Sequence, residues 1–273
     1  MRFTKMHGIG NDFIVMDAIH NTIENPGALA KRLCERRFSI GADGLILICK
    51  SDIADAKMRI FNSDGSEAEM CGNGIRCAAK YIYDYGIVKK DEFSIDTLDG
   101  VKTVLLVIKD GKAVSVTVNM GSPSFDPAKV PVDAPSNEVD VEIEGVKMHF
   151  FCVNMGVPHA VTFDILPERA QFLRLGEIME KHPLFPAKTN VEFCRVDDRN
   201  NVTVKVWERG AGETLACGTG SCSVLAAGYK LGLIESRADI HLPGGTLNDR
   251  WAKDGNIYMT GPAETVFEGE IEI

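Results

Sequence analysis

The tetrad Cys-Gly-x-Gly occurs twice, at Cys71–Gly74 and Cys217–Gly220, and both copies sit inside a longer internal repeat. With Cys71 set on Cys217, an offset of 146 residues, KMRIFNSDGSEAEMCGNGIRCAAKYIYDYG (57–86) lies without a gap on TVKVWERGAGETLACGTGSCSVLAAGYKLG (203–232). Identities fall at Glu67/Glu213, Cys71/Cys217, Gly72/Gly218, Gly74/Gly220, Tyr83/Tyr229 and Gly86/Gly232. Hydrophobic character agrees at Met58/Val204, Ile60/Val206 and Phe61/Trp207, and the same offset pairs Gly10 with Gly156 and Val15 with Val161. Each half reads as strand, polar turn, cysteine, helix. The chain is therefore expected to hold two copies of one domain, and its 273 residues are enough for two domains of ordinary size.

Between the copies, GSPSFDPAKVPVDAPSN (121–137) carries four prolines and no sustained apolar period, and it is the natural linker. Hairpins are predicted where VKTVLLVI meets AVSVTVNM at Lys109–Lys112 and where VDVEIE meets VKMHFFCV around Gly145. A third joins TNVEFCRV to NVTVKVW across Asp197–Asn200. Helices are expected over Pro26–Arg37, Asn73–Tyr85, about 168–181 and Thr219–Lys230. In the last only Lys230 is charged, so it should be buried nearly all round. In Asn73–Tyr85 the charges Arg76, Lys80 and Asp84 recur every four residues, which predicts one wet stripe.

Composition narrows the partners. The net charge of −9 argues against nucleic acid and anionic membrane, since both need clustered Lys and Arg. MRFTKMHGIGNDF lacks the apolar core of a signal peptide, and GLILIC and VLLVI are far too short to span a bilayer, so a cytoplasmic enzyme is expected. Eight cysteines without a secretory signal read as reduced thiols, mostly packed in cores. There is no CxxC, and neither a metal nor a cofactor is expected.

In each copy the cysteine ends a loop and a helix follows, which places the sulfur at the positive end of a helix dipole beside outward N–H groups. A thiol there is expected to be more acidic than the free value of about 8.5, and the same N–H groups can hold a carboxylate. Inverting an α-carbon needs one group to take a proton from one face and another to return one to the opposite face. Two such helix starts on opposite sides of a central cleft would supply both. Backbone donors aimed at the substrate carboxylate would stabilise the carbanion without metal or pyridoxal.

HGIGNDF (7–13), NSDGSEAEMCGNGIR (62–76), GVPHAV (156–161), TNVEF (189–193) and ERGAGETLACGTGSC (208–222) together resemble diaminopimelate epimerase. The resemblance implies an α/β (α+β) fold of two pseudo-symmetric domains, each a curved, mostly antiparallel sheet or barrel around a central helix. The implied boundaries are 1–118, completed by a C-terminal strand at 263–273, and 119–262. It further implies that Cys71 and Cys217 are the catalytic pair and that His159 and Glu208 tune their acidity. Gly72, Asn73, Gly218 and Thr219 would bind the reacting carboxylate, and Asn11, Asn62, Asn190, Glu208 and Arg209 would hold the rest of the substrate. An Arg and amides suit the carboxylate of a zwitterionic far end, and a Glu suits its ammonium. A small-molecule amino-acid substrate is implied, no cofactor is implied, and the protein is expected to be a homodimer.

Two positions depart from the family pattern: Val157 stands where many members have Asn, and Gly44 where many have Gln. Both departures bear on substrate choice, and Asn154 is a candidate to compensate at 157. Racemisation of another amino acid is the nearest alternative. A cysteine hydrolase built on Cys217 and His159 is a second, although it needs one nucleophile where this chain presents the unit twice. A non-catalytic amino-acid-binding protein is a third. His7, Cys77 and Cys222 are expected to be structural.

Overall fold

A computed structural model describes residues 1–272. The chain forms two compact units, one from Met1–Asn119 together with the segment from Thr260 onward, the other from Met120–Met259. Both are mixed α/β, with few helices and long sheets.

Unit 1 runs β1 (Arg2–Gly8), β2 (Asn11–Asp17), α1 (Pro26–Leu33), β3 (Gly44–Cys49), β4 (Ala56–Asn62), β5 (Glu67–Ala68), α2 (Gly72–Asp84), β6 (Glu92–Thr97), β7 (Gly100–Lys109) and β8 (Lys112–Asn119). Its pairs are mostly antiparallel, with β2–β3 and β4–β6 parallel. The last strand of the chain, Glu264–Glu270, pairs antiparallel with β1. β3, GLILIC, is apolar without alternation because both its faces are covered, and Leu45 to Ile48 are almost fully buried. α1 begins where Asn25 accepts the Ala28 N–H at 3.1 Å and Pro26 opens the first turn.

α2 packs against β1, β2, β3, β4, β7 and β8, and this overturns the expected wet stripe. Arg76 is fully buried, and Lys80 is buried too. The guanidinium donates to the Gly72 carbonyl (3.0 Å), to Asn73 Oδ1 (2.9 Å) and to the Pro262 carbonyl (3.2 Å). Lys80 bonds Asp84 at 2.8 Å and the Ala113 carbonyl at 2.6 Å. The four-residue period is real, but strands that surround the helix leave it no solvent face. Lys80 and Asp84 pair with each other, and Arg76 spends its N–H groups on carbonyl and amide oxygens.

Unit 2 runs β9 (Glu138–Ile143), β10 (Val146–Asn154), β11 (Pro158–Thr162), α3 (Arg169–Glu180), β12 (Asn190–Asp198), β13 (Asn201–Glu208), β14 (Gly212–Thr214), α4 (Gly218–Lys230), β15 (Arg237–Leu242) and β16 (Gly245–Trp251), and β17 (Ile257–Gly261) begins in it and ends in unit 1. Phe150, Phe172 and Phe193 are stacked edge to face in its core, with Trp207 against Phe172. Each such ring contributes about 1.5–3 kcal/mol by burial. The proline-rich segment expected as a linker also belongs here. Val130 and Val132 are buried in the same cluster, and the Asp133 N–H bonds the Leu184 carbonyl at 2.8 Å. Its prolines prevent regular structure without preventing packing. α4 is buried from Gly220 to Gly228, as its composition predicts.

The repeat is reproduced residue for residue in strand register. The parallel pair Phe13↔Gly44 of unit 1 recurs 146 residues later as His159↔Asn190. The antiparallel pair Leu45↔Phe61 recurs as Val191↔Trp207, and Ile60↔Ala68 recurs as Val206↔Thr214. α2 and α4 span matching residues, Gly72–Asp84 and Gly218–Lys230.

Candidate active site

Each cysteine is the N-cap of its helix in extended backbone, Cys71 at φ −143°, ψ 122° and Cys217 at φ −127°, ψ 115°. Each sulfur accepts the N–H three residues on, from Gly74 and from Gly220, at 3.4 Å in both. This is the N-cap bond that serine or asparagine normally makes, made here by sulfur. Gly72 and Asn73, and Gly218 and Thr219, form the first turns immediately behind the sulfurs. The glycine three residues after each cysteine sits in tight space, most tightly at Gly220. A Cβ at Gly74 would stand 3.0 Å from Ile60 Cδ1, and at Gly220 it would stand 2.7 Å from Glu192 Oε1 and 3.3 Å from Cys217 Sγ.

In unit 1, Asn11 links the helix start to a charged network. Its Oδ1 accepts from Asn73 Nδ2 (3.2 Å) and from Cys71 Sγ (3.7 Å), while its Nδ2 donates to Asp43 Oδ2 (2.7 Å). Arg36 bridges Asp12 (2.7 Å) and Asp43 (2.6 Å), and Lys5 pairs with Asp12. Burial alone would raise the Asp12 carboxyl, but hydrogen bonds from Arg36 and Lys5 hold it at about 2. The network fixes which way the Asn11 amide points: with its NH₂ committed to Asp43, its oxygen must face the cysteine. Neither Asp43 nor Arg36 was legible as a site residue, because only their contacts with Asn11 and Asp12, distant in sequence, define them. Asn62, at the exposed end of β4, spends its amide on Ser66 Oγ at 3.0 Å.

Unit 2 assembles a denser site. Cys217 is buried, lies 3.5 Å from Thr219 Oγ1 and feels the charge of the nearby Glu208 carboxyl. Thr214 Oγ1 also donates to Glu208, at 2.6 Å. His159, fully buried on β11, bonds Glu192 Oε1 through Nδ1 at 2.7 Å across the parallel β11–β12 pair. His159, Glu192 and Cys217 each bring one ligating atom within 4.8 Å of the others. Asn190 donates to the Pro158 carbonyl (2.9 Å) and accepts the Arg209 N–H (2.8 Å), so it ties the strand ends together. The Arg209 guanidinium, exposed, reaches the Ala187 carbonyl at 3.1 Å. Glu192 is the residue that the sequence reading passed over. Its one signal was a carboxylate inside the otherwise apolar run of TNVEFCRV.

The expected acidic thiol is corrected at Cys217. Burial pushes this thiol well above the ordinary range, and the carboxyls of Glu208 and Glu192 push it further. The Thr219 hydroxyl and the Gly220 N–H act the other way and are outweighed. Glu208 is itself raised, by burial first, against the hydrogen bonds from Thr214 and Cys217. The helix dipole is present, but desolvation and two carboxyls overrule it. At neutral pH Cys217 is a thiol, a group able to deliver a proton.

Two other expectations change. Asn154 is not available to replace an amide at 157, since its Nδ2 bonds the Lys129 carbonyl and its Oδ1 the Gly156 N–H, both at 2.7 Å. Gly44 pairs with Asn62 where β3 and β4 approach so closely that a Cβ would meet the Phe61 carbonyl at 2.8 Å. In this backbone a glycine there reflects strand packing. Cys77 and Cys222 are buried inside α2 and α4, and burial lifts the Cys77 thiol to about 12, as suits packed, unreactive cysteines.

The sequence pattern of diaminopimelate epimerase matches residues 3–125 and 151–266. The chain is 50% identical to a diaminopimelate epimerase of Acetivibrio thermocellus, covering 100% of this chain and 99% of that one. A Methanococcus maripaludis enzyme of the same name is also 50% identical, with 100% of each chain covered. Among solved structures, a probable proline racemase from Agrobacterium radiobacter superposes with a TM-score of 0.74 at 17% identity, covering 100% of this chain and 93% of that one. A hydroxyproline epimerase from Agrobacterium vitis gives 0.72 at 19% identity, with 98% and 91% covered. At that identity the structures establish the two-copy α/β fold, and the full-length sequence matches establish kinship. The chain belongs to the diaminopimelate epimerase family.

Proposed function

We propose that this protein is a cofactor-independent isomerase that interconverts LL- and meso-diaminopimelate, intermediates on the way to lysine and to cell-wall precursors, with Cys71 and Cys217 as the proton-transfer pair. The observation that carries the reading is the twofold helix start, with a cysteine N-cap at the same 3.4 Å from the third N–H in both copies. Epimerisation at an α-carbon needs one base and one acid, which exchange roles when the reaction reverses. A chain that builds the same sulfur site twice supplies the pair from like groups. The high proton affinity of Cys217 suits it to the acid role in the resting enzyme, which assigns the initial proton abstraction to Cys71.

The remaining roles follow from the contacts. The first-turn backbone of Gly72–Asn73 and Gly218–Thr219 offers donors to the reacting carboxylate, whose developing charge is the main barrier to carbanion formation. Asn11, held by Asp43, presents an oxygen at the Cys71 side, where an ammonium or thiol proton is complemented. His159 and Glu208 govern the proton on Cys217, and Asn62, Asn190 and Arg209 serve the far end of the substrate. The same reading makes the protein a cytoplasmic homodimer. In support, no helix among the described residues is long and apolar enough to cross a membrane, and light scattering tests the dimer.

The test is incubation with LL-diaminopimelate in D₂O, with reductant and without added pyridoxal or metal. Meso product carrying deuterium at the inverted α-carbon is expected by NMR and chiral analysis. Exchange with a different amino acid alone would move the substrate to a racemase of the same fold. An isolable acyl-enzyme on Cys217 would replace the reading with hydrolysis.

A further inference from the structure

Cys217, His159 and Glu192 form a buried cluster with the chemistry of a soft-metal site, although the sequence carries no metal-ligand spacing. Thiolate, imidazole and carboxylate are the three ligand types of protein-bound zinc. One atom from each lies within 4.8 Å of the others; around a bound zinc ion such atoms stand about 3.5 Å apart. Small side-chain movements therefore close the set. Two atoms of the trio, His159 Nε2 and Glu192 Oε2, are buried and have no hydrogen-bond partner among the described residues. Burying such atoms without a partner costs free energy, which a bound cation would offset. A further carboxyl, Glu208, acts on Cys217 electrostatically, so the pocket gathers a thiol, two carboxyls and one imidazole.

We propose that this cluster binds Zn²⁺ or a similar thiophilic divalent cation, and that the bound ion reversibly switches the enzyme off. Binding replaces the Cys217 S–H bond by a sulfur–metal bond and releases the proton to solvent. No electron changes hands. The sulfur lone pair that would accept or deliver the substrate proton is then occupied. Sulfur and imidazole ligands favour zinc over magnesium or calcium, which take oxygen sets. The matching positions of unit 1 carry no such set: Phe13 stands for His159 and Ile46 for Glu192. Cys71 is thus the internal control. The inhibition rests on reading Cys217 as a proton-transfer group, whereas the binding does not.

The test uses the full chain, reduced and stripped with EDTA, titrated with Co²⁺ as a spectroscopic substitute for zinc. A thiolate-to-cobalt charge-transfer band is expected in the wild type and in Cys71→Ser, and it should vanish in Cys217→Ser. Glu192→Gln and His159→Asn should each weaken Co²⁺ binding by about tenfold or more. X-ray absorption of the zinc-loaded wild type, which needs no variant to fold, should show one sulfur together with nitrogen and oxygen donors. Zinc should also stop α-proton exchange, with recovery on adding EDTA. No band in the wild type, a band that survives Cys217→Ser, or an all-oxygen zinc shell would overturn the site. Binding that leaves α-proton exchange untouched would overturn the switch. Absence of exchange before any zinc is added would count against the proposed activity and leave the spectroscopic result standing.

Discussion

The helix starts of the two units share one backbone and differ in almost everything that touches the sulfur. At the 146-residue offset, Asn11 corresponds to Val157, Phe13 to His159, Ile46 to Glu192, Asn62 to Glu208 and Arg76 to Cys222. Beside Gly74 of unit 1 stand the methyl groups of Ile60 and Ile46; beside Gly220 of unit 2 stands a carboxylate oxygen. Unit 1 puts its polar support at the helix start itself, through Asn11, Asn73 and the buried Arg76. Unit 2 puts it beneath the sulfur, through His159, Glu192 and Glu208. Strand register and capping fix where each sulfur sits, and at Cys217 burial together with Glu208 and Glu192 favours the protonated thiol. A symmetric scaffold can in this way hold an acid and a base made of the same residue.

That comparison can be broken most severely at the sulfurs. Cys71→Ala and Cys217→Ala should each lower turnover by about 10³-fold or more, measured as meso product formed from LL substrate. Near-normal activity in either variant would mean that the two starts are not an acid–base pair. Next in size is a swap that gives unit 2 the interior of unit 1, His159→Phe with Glu192→Ile. Turnover should fall by about 10²-fold while thermal stability holds or rises, since an imperfectly satisfied buried polar pair is replaced by apolar volume. A large loss of stability would show that the pair supports the fold and not the chemistry.

The reciprocal change, Asn11→Val, gives unit 1 the residue of unit 2 and removes the acceptor facing Cys71. About a tenfold fall in kcat/KM is expected, the worth of one hydrogen bond, and an unchanged value would remove Asn11 from the site. The smallest effect is a shift of titration, read with chelator present. Alkylation of Cys217 in the wild type should still be rising at pH values where an ordinary cysteine has levelled off, because burial, Glu208 and Glu192 all favour the thiol. Glu208→Gln removes one of the two carboxyls, so the profile should move to lower pH. A move upward would mean that the Glu208 carboxyl does not hold the proton on Cys217.

Much of this was legible in the sequence, and the parts that were not share a cause. α2 and α4 announce themselves through the cysteine and glycines that open them, and the expected starts at Asn73 and Thr219 differ by one residue from Gly72 and Gly218. The hairpin turns at Asp110–Gly111 and Glu144–Gly145 are marked by their glycines, both at positive φ. Position along the chain cannot say what surrounds a residue on every side. The stripe of Arg76, Lys80 and Asp84 obeys the pattern of a surface helix and is interior because six strands enclose it. Glu192 meets His159 only because β11 and β12 pair in parallel. The acidity of Cys217 was misjudged for the same reason: the helix end is local, and the two carboxyls are not.

The antiparallel ladder between β1 and the strand Glu264–Glu270 sets an order on biogenesis. Arg2 finds its partner Glu270 only 268 residues further on, and the Met1 ammonium bonds the Ile271 carbonyl. On the ribosome, unit 1 holds an open sheet edge throughout the synthesis of unit 2, whose residues are contiguous in the chain. The unit translated first is therefore the one completed last, and nascent chains halted before Glu264 expose β1 as a sticky edge for chaperones or for one another.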